Sequence, residues 1–347
     1  MIELDSRSKL LASNLGWLKG FAHIYEKLLV AATHVDEVPN DLPANIEVIE
    51  LGGGSFPKRL YALWKLMRIV YSMQRETGSW HVFHHMIHYT ALFPGIIFRV
   101  LGYPQALWYS HKAKPRLLNI ASQIVDVVTS TAITSFPLYK EIEVIALGHG
   151  IDNSRFSAVE TVHNERDYTS TISYLGRINR VKNLEKLLKE VAISKAESKF
   201  QISFIGPIQD SDYASELFGV AESEGILLNI LEPIDYSKVP NMLNKFSYFF
   251  SGTEESIDKS ALEAAMCGCI VVTENRNLLE AIGMDQYWST ITNGASSLRI
   301  SEQLFYLERL SPNEKSLLRR RIAEHARQSA DVNRVTQAIH DLLVATK

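Results

Sequence analysis

At 347 residues, 46% of them hydrophobic and 22% charged, the chain has the length of two ordinary domains and the composition of a globular protein. A formal net charge of −3 gives it no overall attraction to nucleic acid. No secretory signal pattern and no apolar run of about 18 residues marks a membrane span.

In chain order, Lys9–Asn14 reads as a strand, Trp17–Lys27 as a helix, and Leu28–Thr33 and Ile46–Leu51 as strands with alternating apolar positions. Gly52, Gly53 and Gly54 follow without a G-K-[ST] or a G-x-G-x-x-G, so a flexible turn is the safer reading. Pro57 to Arg75 is an amphipathic helix, with Leu60, Leu63, Trp64, Met67, Val70 and Tyr71 at helical spacing. Its charges are Lys58, Arg59, Lys65, Arg68 and Arg75, with no acid among them. A basic, aromatic-bearing helix of this kind either packs with a solvated face or lies on an anionic membrane leaflet.

His81–Met86 is the next strand, with His84 and His85 near its end. Successive strand residues point to opposite faces, so the H-H-x-x-H run to His88 argues against a metal site. Placement at a strand's carboxyl end suits substrate contact instead. Ala91–Leu101 should be a helix, Ala106–Ser110 a strand, and His111 stands just beyond it. Val125–Ser130 and Val144–Ala146 complete this half, and residues 153–169 are polar and aperiodic, as a linker would be. The expected division is 1–152, a linker at 153–169, a second domain at 170–325, and a C-terminal helical stretch at 326–347.

The second domain alternates strand and helix. Strands are expected at Thr171–Leu175, Gln201–Ile205, Leu227–Leu231, Tyr248–Phe250 and Cys269–Thr273, and helices at Asn183–Ala196, Ser211–Glu224, Tyr236–Lys245 and Lys259–Met266. That alternation argues for an α/β fold with a doubly wound parallel sheet. Two of its turns carry chemistry. Gly176 to Asn183 follows a strand and starts a helix, and it holds Arg177, Arg180 and Lys182, which suit a pyrophosphate. Tyr248 to Thr273 is a strand, a polar loop with Glu254, Glu255 and Ser256, a nearly all-apolar helix N-capped by Asp258, and another strand. Glu263 on that buried helix needs a partner, either a sugar hydroxyl or a lysine. Cys267 and Cys269 are too close for an unstrained disulfide and lack further metal ligands, so they read as reduced core thiols of a cytoplasmic protein. Pro312 opens a helix to about Ala330, and Val332–Val344 forms the last one.

Glu255 and Glu263, seven residues apart and ahead of Ala264, Ala265 and Gly268, resemble the E-x7-E signature of retaining family-4 glycosyltransferases with the GT-B fold. Ser256, Ile257 and Asp258 replace the usual G-F-G, and the run resembles a bacterial subgroup with S-x-D-K-x-x-x-E, in which Lys259 supplies the K. Leu175-Gly176-Arg177 through Lys182 resembles G-R-L-x-x-x-K-G, with Asn183 in place of the last Gly. His111 resembles the family's T-x-H histidine, and Gly148–Asp152 with Phe156 resembles its N-G-[VI]-D before F.

The resemblance implies two Rossmann-like domains facing a cleft, with the C-terminal helix of 326–347 returning to the first domain. It implies transfer, with retention, from a UDP- or GDP-sugar to a glycan or lipid-linked acceptor of bacterial surface polysaccharide. In that picture Arg177 and Lys182 hold the diphosphate, so no metal or other cofactor is required. His111 and Glu255 are catalytic. Glu254, Ser256, Asp258, Lys259 and Glu263 contact the nucleotide sugar, and which of Glu254, Glu255 and Asp258 does the first acid's work stays open. Gly16 or Gly20 stands nearest the acceptor-side glycine loop, with His84 and His85 as further contacts. A nucleotide-sugar epimerase or a non-catalytic binding module of the same fold are the alternatives. The expected partners are the donor, the acceptor and an anionic membrane surface through Pro57–Arg75, with no nucleic acid. The expected place is the cytoplasm, on the inner membrane face.

Overall fold

The computed structural model describes residues 3–4, 14–36, 42–52, 56–74, 80–156, 170–194, 200–254, 256–292 and 294–346. The chain divides into two compact units, one of residues 1–152 with 332–347, the other of residues 153–331.

The first unit's strands are β1 (Glu3–Leu4), β2 (Leu28–Ala32), β3 (His34–Val35), β4 (Ile46–Glu50), β5 (Val82–His85), β6 (Gln105–Trp108), β7 (Val127–Ser130) and β8 (Ile145–Ala146). They pair in parallel as β1 with β3, β2 with β4, and β5-β6-β7-β8. Its helices are α1 (Asn14–Ile24), α2 (Phe56–Gln74), α3 (His88–Leu92), α4 (Gly95–Val100) and α5 (Leu118–Ile124). The helix expected over Ala91–Leu101 is in fact two, because Pro94 cannot donate to the ladder and holds Phe93 extended at φ −144. The strand expected at Lys9–Asn14 lies outside the described residues, except for Asn14, which opens α1. A cavity of about 560 Å³ lies between β2 and β5, with His84 and His85 on its wall.

The second unit's strands are β9 (Thr171–Leu175), β10 (Gln201–Ile205), β11 (Leu227–Leu231), β12 (Tyr248–Phe250) and β13 (Ile270–Val272). All are parallel, in the order β11-β10-β9-β12-β13. Its helices are α6 (Leu184–Ile193), α7 (Ser211–Ser223), α8 (Val239–Leu243), α9 (Lys259–Met266), α10 (Arg276–Ala281), α11 (Met284–Ile291), α12 (Ile300–Glu308) and α13 (Pro312–Ala330). β12 and β13 are wholly buried, which is why they read as unbroken apolar runs rather than alternating ones. The region Tyr236–Lys245 is a 3-10 turn followed by the short α8.

The last helix, α14 (Val332–Ala345), returns to the first unit. Val335, Ile339 and Leu343 join Trp17, Phe21 and Trp108 in one core cluster. Gly20 makes room for it, since a Cβ there would lie 2.8 Å from Thr336 Oγ1.

Candidate active site

In the second unit the strand order reverses between β9 and β12, which pair side by side. Ligands of open α/β sheets bind beyond the carboxyl ends of the strands at such a point. The two loops found there are the two that the sequence marks, after Leu175 and after Phe250.

Glycines let these loops touch each other and the loop that follows β10. A Cβ on Gly206, whose φ is +145, would stand 2.0 Å from the Gly176 carbonyl oxygen. One on Gly252 would stand 2.4 Å from the Lys182 carbonyl oxygen. Asn183, at the position where the family has glycine, is left-handed at φ 52 and ψ 44, just before α6. Asparagine is among the few side chains that tolerate this region, which explains the exchange.

Lys182 Nζ lies 2.7 Å from Asp258 Oδ1, and the two side chains are 19% and 13% exposed. Asp258 Oδ2 accepts from Ser251 Oγ at 2.9 Å and Thr253 Oγ1 at 3.1 Å. Asn275 Nδ2 donates to the carbonyls of Thr253 and Ser256 and so fixes the loop from outside. Asp258 does occupy the N-cap position of α9, yet its side chain caps nothing. Its carboxylate is drawn to the lysine and the two hydroxyls, because a charge-assisted bond outweighs an ordinary cap. Arg177 is exposed and forms no ion pair among the described residues. Arg180 points elsewhere: Glu216 takes both guanidinium arms at 2.8 and 2.6 Å, and Asp210 lies 3.3 Å away.

Glu263, 2% exposed, is satisfied within the protein. Its Oε1 accepts from the Tyr236 hydroxyl at 2.7 Å and pairs with Lys259 Nζ at 3.2 Å. Lys259 Nζ and the Arg155 guanidinium lie 4.6 and 5.3 Å from the Tyr236 ring centroid. Of the two partners weighed for this carboxylate, a lysine is therefore the one in place. Tyr236, Arg155 and Asn275 are site residues that sequence reasoning missed. Arg155 alone had a cue, as the neighbour of the motif residue Phe156. Glu254 is exposed, Ser256 is half-buried, and Glu255 lies outside the described residues.

The remaining site candidates belong to the first unit. His111 is exposed, three residues past β6, with Nδ1 accepting from the Ala113 amide at 2.9 Å. His84 is a core side chain, with Nδ1 2.8 Å from Thr90 Oγ1 and Nε2 3.1 Å from Gln105 Oε1. Burial lowers its pKa to about 4. The His85 ring stacks on Trp108 with centroids 5.1 Å apart and abuts Trp17 at 4.9 Å, and burial lowers its pKa to about 3. Both rings are packed among core neighbours, and both also line the cavity between β2 and β5. Gly16 is not in a loop. It lies inside α1, where a Cβ would meet that of Asp152 at 3.3 Å, so it is a close-packing glycine.

Among the described residues no cluster of three or more His, Cys, Asp or Glu side chains suits a metal ion. An Asp-x-Asp pair does occur at Asp210 and Asp212, but Asp210 caps α7 by accepting from the Tyr213 amide. Cys267 and Cys269 are buried thiols outside any disulfide, and Cys269 Sγ donates to the carbonyls of Leu243 and Phe246.

Residues 158–328 match the model of the family described as glycosyl transferases group 1. No curated protein sequence matches the chain. Similar solved structures include HepE of Anabaena in complex with UDP and glucose, with TM-score 0.68, 14% identity, and 99% of each chain covered. A sucrose-phosphate synthase of Thermosynechococcus elongatus gives 0.66 at 14%, covering 97% of this chain and 94% of that one. WaaG, a glycosyltransferase involved in lipopolysaccharide biosynthesis, gives 0.58 at 13%, covering 99% and 98%. At such identities the likeness speaks for the fold, an α/β fold of Rossmann-like units shared with GT-B glycosyltransferases. The family match falls on the unit whose strand order reverses, so the second unit carries a glycosyltransferase group 1 domain.

Proposed function

We propose that the chain is a retaining, metal-independent glycosyltransferase. It takes a sugar from a nucleoside diphosphate, UDP before GDP, and passes it to a glycan or lipid-linked acceptor of a bacterial surface polysaccharide in the cytoplasm. The observation that carries this reading is the meeting of the Gly176–Asn183 turn with the Gly252–Asp258 loop where the strand order reverses. Solved relatives hold UDP or UDP-glucose, which makes UDP the first nucleotide to test.

The charges suit a departing diphosphate. Arg177 is open to an anion, and Lys182 can exchange Asp258 for a phosphate oxygen. Cations already in position stabilise charge as it develops on the leaving group and supply what a metal would otherwise supply. Glu263, locked by Tyr236 and Lys259, presents its remaining oxygen to a ribose hydroxyl. Glu255, or Glu254 beside it, holds the donor sugar, and His111 orients the reacting carbon.

A thermal-shift series with UDP, GDP, CMP and TDP tests the nucleotide class. A diphosphate at a hundred times its Kd stabilises the folded chain by about 2.7 kcal/mol, and CMP leaves it unmoved. A response to CMP alone sinks the diphosphate assignment. With the donor identified, Lys182→Ala should lower transfer about 10²- to 10³-fold, as loss of one preorganised charge does elsewhere. Product analysis of donor alone separates transfer from epimerisation.

A further inference from the structure

Glu263 has two carboxylate oxygens, and the protein uses them unequally. Oε1 accepts from the Tyr236 hydroxyl at 2.7 Å and pairs with Lys259 Nζ at 3.2 Å. Among the described residues no hydrogen bond reaches Oε2. Each carboxylate oxygen offers about two lone-pair sites, so phenol and ammonium together occupy Oε1. The side chain is 2% exposed, and water has little access to make up the difference at Oε2.

The phenol is held where it is. Tyr236 is buried in the 3-10 turn Tyr236–Lys238, between β11 and α8. Phe156 meets its ring edge-on, with centroids 5.8 Å apart. Lys259 Nζ lies 4.6 Å and the Arg155 guanidinium 5.3 Å from the ring centroid, and both cations are attracted to its π-electrons. An i,i+4 pair such as Lys259 with Glu263 is weak by itself. Here the ring gives the lysine a second hold and the hydroxyl gives the glutamate one, so phenol, ammonium and carboxylate form a closed triangle.

We propose that Tyr236 is a positioning residue that restricts Glu263 to one hydroxyl of the ribose, so that the site distinguishes the 2′ position from the 3′ position. This rests on the ribose contact proposed for Glu263 and goes beyond it. A carboxylate with both oxygens free meets two vicinal hydroxyls with one oxygen each. With Oε1 committed to Tyr236 and Lys259, Oε2 alone takes a charge-assisted bond, and it takes it from one hydroxyl. A nucleotide without that hydroxyl leaves a buried charged oxygen unpaired and is rejected. A nucleotide without the other hydroxyl loses little. Tyr236 acts on the nucleotide only through Glu263.

Titration calorimetry of the full chain with UDP, 2′-deoxy-UDP and 3′-deoxy-UDP tests it, with GDP and its deoxy forms in their place if GDP gives the larger thermal shift. One deoxy form should bind about tenfold or more weakly than the parent, and the other within about twofold of it. Tyr236→Phe keeps the ring beside Lys259 and Arg155 and removes only the hydroxyl, which frees Oε1. In that variant the two deoxy forms should come within about threefold of each other, because both hydroxyls are then read. Inorganic pyrophosphate has no ribose, so it should shift the melting temperature of native chain and variant alike. A purely structural Tyr236 would weaken the pyrophosphate response as well, and that result overturns the proposal. Equal losses for the two deoxy forms on the native chain overturn it too, and this comparison needs no variant to fold. If both deletions are harmless while the parent nucleotide binds, Glu263 does not hold the ribose, and the proposal falls with that contact while the diphosphate assignment stands. A chain that responds to no nucleoside diphosphate and no pyrophosphate fails at the transferase reading itself.

Discussion

Individual side chains show most sharply where sequence reasoning reaches its limit. Lys182 was legible, because a cation after a strand-end glycine has few structural uses. Its bond to Asp258 was not, since 76 residues separate them and only the pairing of β9 with β12 joins their loops. His84 and His85 were drawn toward function by their place near a strand end. No pattern in the sequence announced Gln105, Thr90 and Trp108 around them.

Burial lowers the two histidines to about 4 and about 3, from an ordinary value of 6.5. On unfolding both rings return to that value, so below it the unfolded chain binds protons that the folded chain refuses. Stability is therefore full above about pH 6.5 and falls between there and pH 4, by up to about 1.4 kcal/mol per pH unit for each ring. Urea unfolding across this range should show the slope, and His85→Phe should flatten it. An unchanged slope would move the acid sensitivity to other groups.

At the scale of elements, strands were easier to read than helices. Buried parallel strands are short β-branched or aromatic runs, and all five of the second unit fall within a residue or two of expectation. Helices depend on breakers whose effect varies with context. Pro94 divides one expected helix into α3 and α4, whereas Pro240 sits harmlessly in the first turn of α8. Gly16 and Gly20 show the converse limit: four apart in sequence, they serve helix packing and not a turn. The contact between loops yields a sharp expectation. Gly252→Ala places a methyl against the Lys182 carbonyl at 2.4 Å, and that oxygen belongs to backbone with little room to yield. The loops must separate, with loss of nucleotide response and a stability cost of about 1–3 kcal/mol. Asn183→Gly should be tolerated, while Asn183→Ala should cost about 1–2 kcal/mol at its left-handed position. Melting temperatures of the three variants order these effects.

For the whole molecule, alternation of strands and helices made the fold class legible, most firmly after residue 170. The second unit is a continuous stretch, 153–331, while the first is completed by residues 332–347. Within the second unit, Asn153 Nδ2 bonds the Asp331 carboxylate at 2.7 Å, so its two ends lie together. Within the first, the Val332 amide donates to the Ile151 carbonyl at 3.0 Å. Hydrogen exchange with UDP present should slow most in 174–186 and 256–266, the stretches that hold the paired cations and acids. Equal protection across β5 to β8 would contradict a nucleotide seated in the second unit.

The returning helix α14 also sets a timetable. A ribosome makes residues 1–152 first, yet Val335, Ile339 and Leu343 are the last of their core to emerge. Each apolar side chain withheld forgoes about 1.5–3 kcal/mol of burial. The part synthesised second can thus reach its native form while the part synthesised first still waits. A stop codon just before α14 would accordingly damage the first unit and spare the second.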